Sequence, residues 1–148
     1  MRTRGQWRID PGTLQAGSAG EIELVVAYTR PDLAQAVLQR AAALTQGLNA
    51  RISLIAVHVV PVVGPLACPG AAHAFLVERL LELCAASPLP AGAQVVLAHT
   101  REEGFRHALK PESVVLIGAR RRWRPGREES LARALRAEGH SVTLLYVE

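Results

Sequence analysis

Cysteine is scarce: Cys68 and Cys84 are the only two in 148 residues, and they do not form a CxxC pair. That excludes a disulfide framework and a zinc knuckle, and it fits reduced thiols in the cytoplasm. Aspartate is limited to Asp10 and Asp32, and neither stands where a magnesium ligand would face a phosphate loop. The G-x-S-x-G elbow and the G-x-x-x-x-G-K-[ST] phosphate loop are both missing, so nothing points to an enzyme. No apolar run approaches the roughly 20 residues that span a bilayer, and the first residues lack the hydrophobic stretch of a signal peptide. The expectation is a non-enzymatic cytoplasmic protein that makes no membrane contact.

What is present suffices for one domain with a full core, given 49% hydrophobic and 20% charged residues in a chain of this length. The formal charge is +4, and much of the excess is gathered in two arginine-bearing stretches, 2–8 and 120–127. Such local basicity favours anionic partners. Residues 1–20 mix Arg with Gly, Pro and Ser without a sustained period and read as a flexible N-terminal arm, leaving 21–148 as the domain.

Within 21–148 the hydrophobic pattern alternates between strand and helix. Residues 21–28, 51–61, 93–99, 113–117 and 141–148 read as strands, most of them continuous apolar runs suited to burial on both faces. Between them, Pro31 and Asp32 open a helix whose stripe is Leu33, Val37, Ala41, Leu44 and Leu48. The Pro- and Gly-rich stretch 61–70 reads as an exposed connection. A second helix over 71–87 turns Ala72, Phe75, Leu76, Leu80, Leu83 and Cys84 inward. Thr100 and Glu103 form a capping box that starts a short helix with Phe105, Ala108 and Leu109 inward. A last helix, 127–138, carries Glu128 and Glu129 in its first turn, Leu131 and Leu135 inward, and Gly139 as its cap. This βαβαβαβαβ alternation predicts an α/β three-layer sandwich, a parallel sheet of about five strands with helices on both faces.

The most conspicuous stretch is SVVLIGARRRWRPGR, 113–127. In doubly wound folds the loops leaving the carboxyl ends of strands hold ligands, and the following helix N-terminus attracts anions. Gly118 lets the backbone turn, and Arg120, Arg121, Arg122 and Arg124 surround Trp123. Guanidinium groups hold phosphate bidentately, and an indole offers a ring for a base to stack on. The other reading is a solvated loop, with Trp123 packed on a neighbouring helix and the arginines paired with Glu128 and Glu129. Thr29 and Arg30 follow the 21–28 strand and share the crevice if that strand lies beside 113–117. His58, His73, His99, His107 and His140 are too scattered to predict a metal site.

Residues 21–147 resemble a universal stress protein domain, chiefly through HVVP at 58–61 and VVLIGARRR at 114–122. The resemblance implies a five-stranded parallel sheet in the order 3-2-1-4-5, related to the adenine nucleotide alpha hydrolase-like group, and a homodimer formed through the last strand, here 141–148. One branch of that family binds ATP, with Asp where Thr29 stands and a G-x2-G-x9-G-[ST] loop. Here Gly118 matches the first glycine, Arg121 takes the second position, and Glu128 and Glu129 fall nearest the closing pair. The stretch IGARRRWRPGREESLARAL is similar to the stress-protein-like domain of potassium-responsive sensor histidine kinases, some of which bind a cyclic dinucleotide there. These features imply a dimeric regulatory domain with a degenerate ATP site and no obligatory cofactor. The alternative is a nucleotide or cyclic-dinucleotide sensor using the arginine loop. A small anionic ligand is the expected partner, and no nucleic acid is.

Overall fold

Continuous apolar runs give strands that are buried on both faces, and the sheet they build sets the position of everything else. A computed structural model describes residues 6–9, 21–60 and 70–147, the first of these by backbone alone. In chain order the elements are β1 (Gln6–Ile9), β2 (Ile22–Ala27), α1 (Ala34–Leu44), β3 (Ala50–Val59), α2 (Ala71–Ala86), β4 (Ala91–Ala98), α3 (Arg101–Ala108), β5 (Val114–Ala119), α4 (Arg127–Ala137) and β6 (Ser141–Tyr146). Five strands are parallel in the order β4-β3-β2-β5-β6, which is 3-2-1-4-5 counted from β2. Val26 pairs with Leu116, so β2 and β5 are neighbours and the strand order reverses between them.

Alternation along the central strands divides the core in two. Leu24 and Val26 pack with Leu33, Val37, Leu38, Leu80 and Leu83 beneath α1 and α2. Val25 and Ala27 pack with Phe105, Ile117, Leu131 and Leu135 beneath α3 and α4. The result is the expected three-layer sandwich.

The segment read as an arm contains an element that its composition does not announce. Gln6–Ile9 pair antiparallel with β4, with Trp7 opposite Val95, while residues 1–5 and 10–20 lie outside the described residues. All eight residues of β4 are buried. Such an apolar edge strand favours a further strand that satisfies its outward N–H and C=O groups. Residues 61–69, read as an exposed connection, are also outside the described residues.

Two helix faces differ from their predicted stripes. Helix α1 ends at Leu44, where the Thr45 hydroxyl donates back to the Ala41 carbonyl at 2.9 Å and Gly47 turns the chain at φ +84°. The helix therefore packs through Leu33, Ala34, Val37, Leu38 and Ala41, and Leu44 and Leu48 are exposed. In α2, Leu80 and Leu83 are buried, but Phe75 is 72% exposed. Cys84 is half-buried, and burial pushes its thiol up to about 11. The short α3 follows its predicted cap: the Thr100 hydroxyl accepts the Glu103 N–H at 3.1 Å, and the Glu103 carboxylate accepts the His99 N–H at 3.2 Å.

Gly118 lies inside β5 and not in the turn after it, because the strand continues to Ala119. A Cβ there would stand 2.5 Å from Cγ2 of Val37, so the missing side chain lets α1 approach the sheet. Val37 is β-branched within a helix and has no alternative rotamer to retreat into. Gly118→Ala is expected to cost about 1–3 kcal/mol in urea unfolding, the usual penalty of overpacking. An unchanged midpoint would show that α1 moves freely on β5.

Candidate functional site

Neighbouring strands whose order reverses leave a crevice at their carboxyl ends, and here β2 and β5 send residues 28–33 and 120–126 into it. Asp32 ties the two loops together. Its carboxylate accepts Arg30 Nε and a terminal Arg30 nitrogen at 3.1 and 2.9 Å, and Arg120 Nε and its terminal nitrogen at 3.3 and 3.2 Å. The Arg30 hydrogen bonds hold the Asp32 carboxyl below its ordinary range, with a smaller contribution from Arg120, and the same contact raises Arg30.

Below this clasp is a cleft of about 230 Å³. Five arginines line it: Arg30, Arg101, Arg120, Arg122 and Arg127. Thr29, Gly126, Glu128 and Glu129 complete the wall. Thr29 is 8% exposed, and its hydroxyl oxygen is buried without a hydrogen-bond partner. Glu128 is also buried, and its ion partner is Arg101 at 3.9 Å. Glu129 folds back over the start of α4: one oxygen accepts the Gly126 N–H at 2.7 Å and the other accepts the Tyr146 hydroxyl at 3.2 Å. Burial alone would raise the Glu129 carboxyl, but the Gly126 N–H, its own N–H, the Tyr146 hydroxyl and the charge of Arg122 together lower it. Beside the cleft a wider groove of about 820 Å³ runs between the first turns of α3 and α4, and Arg101, Gly126 and Arg127 belong to both.

Of the residues selected from sequence, Thr29, Arg30, Arg120 and Arg122 meet in the cleft. The others are placed elsewhere. Arg121 lies over the Tyr146 ring at 4.7 Å, toward β6. Arg124 covers the Trp123 ring at 4.5 Å, and Trp123 is 87% exposed, so it does not pack on a neighbouring helix. Gly118 serves α1 packing, as described above. The loop arginines pair differently from either sequence reading, since the carboxylate that holds Arg120 belongs to Asp32, and Glu128 faces Arg101.

Arg101 and Arg127 are lining arginines that were not selected from sequence as ligand groups. Both were legible as residues in the first turn of a helix that follows a parallel strand, Arg101 directly after the Thr100 cap. Among the described residues no group of three or more His, Cys, Asp or Glu could hold a metal ion. His140 Nδ1 accepts the Ser113 N–H at 3.1 Å, and His99 Nδ1 lies 3.4 Å from the Val60 carbonyl, so both imidazoles serve the backbone.

The arrangement suits an anion. Guanidinium forks converge on a recess that also offers an unused hydroxyl. The hydroxyl has a consequence for stability, because a buried donor without a partner carries a desolvation penalty that an isosteric apolar group avoids. Thr29→Val is therefore expected to leave the thermal midpoint unchanged or raised. A loss above about 1 kcal/mol, the typical net value of one hydrogen bond, would mean that the hydroxyl is bonded in the folded protein.

No protein-family model matches the chain, and a search of the curated proteins finds no match.

Proposed function

We propose that the protein is a non-enzymatic regulatory domain of the universal stress protein type, in which the nucleotide site has become a seat for a small anion other than ATP. The observation that carries this reading is the convergence of five arginines and the partnerless Thr29 hydroxyl at the point where the strand order reverses. Binding without turnover fits the acidic groups, since Asp32 is engaged by two arginines and Glu129 by Gly126 and Tyr146. Triphosphate fits poorly. The backbone N–H at the start of α4, which a phosphate would use, already serves the Glu129 carboxylate, and two glutamates would repel polyanionic charge.

The exposed Trp123, stacked with Arg124 at the rim, favours a second reading, in which a base lies on the indole and the ligand is a nucleotide. In both readings the domain acts in the cytoplasm as a homodimer through β6. Support for this comes from Leu144 and Tyr146, partly exposed on the last strand, and from Val147 directly after it. Leu145 is buried in the core and Arg136 covers the Val142 carbonyl, so the edge is less bare than the apolar sequence suggests.

Two outcomes are expected. Replacing Arg120 and Arg122 together by alanine abolishes binding of inorganic phosphate in calorimetry. The stability change stays within about 0.5 kcal/mol per site, as for surface substitutions, and wild-type binding weakens with ionic strength as exposed charges are screened. A large stability loss would assign the arginines a role in holding the fold, and micromolar binding of magnesium ATP would restore the nucleotide site. Leu144→Lys, at a partly exposed position, shifts the sedimentation mass to monomer at micromolar concentration, and an unchanged mass rules out β6 as the interface.

A further inference from the structure

Glu128 is the one acidic group of the cleft to which no described residue donates a hydrogen bond. Asp32 is clasped by Arg30 and Arg120, and Glu129 accepts two hydrogen bonds from Gly126 and Tyr146. Glu128 is 8% exposed, its ion pair with Arg101 is long at 3.9 Å, and no described residue donates a hydrogen bond to its oxygens, which are not among the fully buried atoms and so open to the cleft that Glu128 lines. A carboxylate that meets water in a recess and has no protein donor is available to a donor on a ligand. Two cations of the same cleft, Arg122 and Arg127, are exposed and have no carboxylate within 4 Å among the described residues, although the charge of Arg122 reaches Glu129.

Resting on the anion-seat reading above, we propose that the cleft binds a compact zwitterion. Its anionic head faces Arg122 and Arg127, and its primary ammonium donates to Glu128, with the Thr29 hydroxyl as a further partner. Size supports this class. A recess of about 230 Å³ admits an amino acid or a phosphorylated amino alcohol, and a nucleotide would have to extend into the adjoining groove. A metal ion is a poorer occupant, since hard cations collect six or more oxygen ligands and Glu128 is the one carboxylate of the cleft not already engaged by hydrogen bonds. A simple anion satisfies the arginines and leaves Glu128 as it was.

The test is calorimetry on the full chain with two matched pairs, glycine against acetate and O-phosphoethanolamine against inorganic phosphate. Phosphocholine serves as a cation without N–H donors. In at least one pair the ammonium-bearing member is expected to bind about tenfold tighter or better, the effect of one charge-assisted hydrogen bond. The pair that shows it identifies the head as carboxylate or phosphate. Phosphocholine is expected to show no gain over phosphate, and Glu128→Gln to erase the ammonium advantage while leaving the plain anion bound at least as tightly. Equal affinities within both pairs, a phosphocholine gain matching that of O-phosphoethanolamine, or a Glu128→Gln variant that tightens every ligand by one factor would overturn the zwitterion and leave the anion seat standing. No binding by either member of either pair would overturn both. The wild-type comparison decides the matter even if the variant fails to fold.

Discussion

Parallel strands cannot be joined by a hairpin, so β2 and β5, paired from Leu24 with Val114 to Ala27 with Ile117, each need a helical crossover to reach their next neighbour. Right-handed crossovers running outward in opposite directions place α1 on one face of the sheet and α4 on the other. The loops that begin those crossovers are thereby left side by side at the carboxyl end of the sheet. The cleft, the Asp32 clasp and the meeting of Arg30 with Arg120 all follow from that single reversal of strand order. Gly118 adds to it locally, since the absence of its Cβ brings α1 against β5.

The electrostatics of the cleft show how the chain manages concentrated positive charge. Asp32 engages two guanidinium groups from loops 88 residues apart, which pins the rim without filling the recess. Glu129 takes up the Gly126 N–H at the helix start, and through Tyr146 it ties α4 to the last strand. The carboxylates thus divide between two that are engaged at the rim and at the helix start and one that faces the cleft beside the cations. Mixed charge of this kind selects by pattern, because a ligand of one sign meets repulsion from some part of the wall.

Most of the fold was legible because continuous β-branched runs, helix stop signals and the Thr100 cap are local in sequence. Parallel pairing followed from the alternation of strand and helix, but the strand order is not local, and it came from the resemblance carried by HVVP and VVLIGARRR. Side-chain direction was legible only where the period was strong. The α1 stripe was extended to Leu44 and Leu48 because i+4 spacing continues past the point where Thr45 and Gly47 end the helix. β1 was missed because four residues in an arginine- and glycine-bearing segment have no period of their own, and their pairing is dictated by β4. At the candidate site, the cluster of arginines marked a loop that does line the cleft. Which of them turn inward depends on partners distant in sequence, namely Asp32 for Arg120 and Tyr146 for Arg121, and no spacing rule within the loop encodes that.

The central claim, that the crevice between the β2 and β5 loops is an anion site, is tested most directly by following backbone amide resonances during titration with inorganic phosphate. The account predicts saturable shifts at Thr29, Arg101, Gly126 and Arg127, with β3 and α2 unaffected. Shifts confined to Trp123 and Arg124, or no saturable shift anywhere, would contradict it.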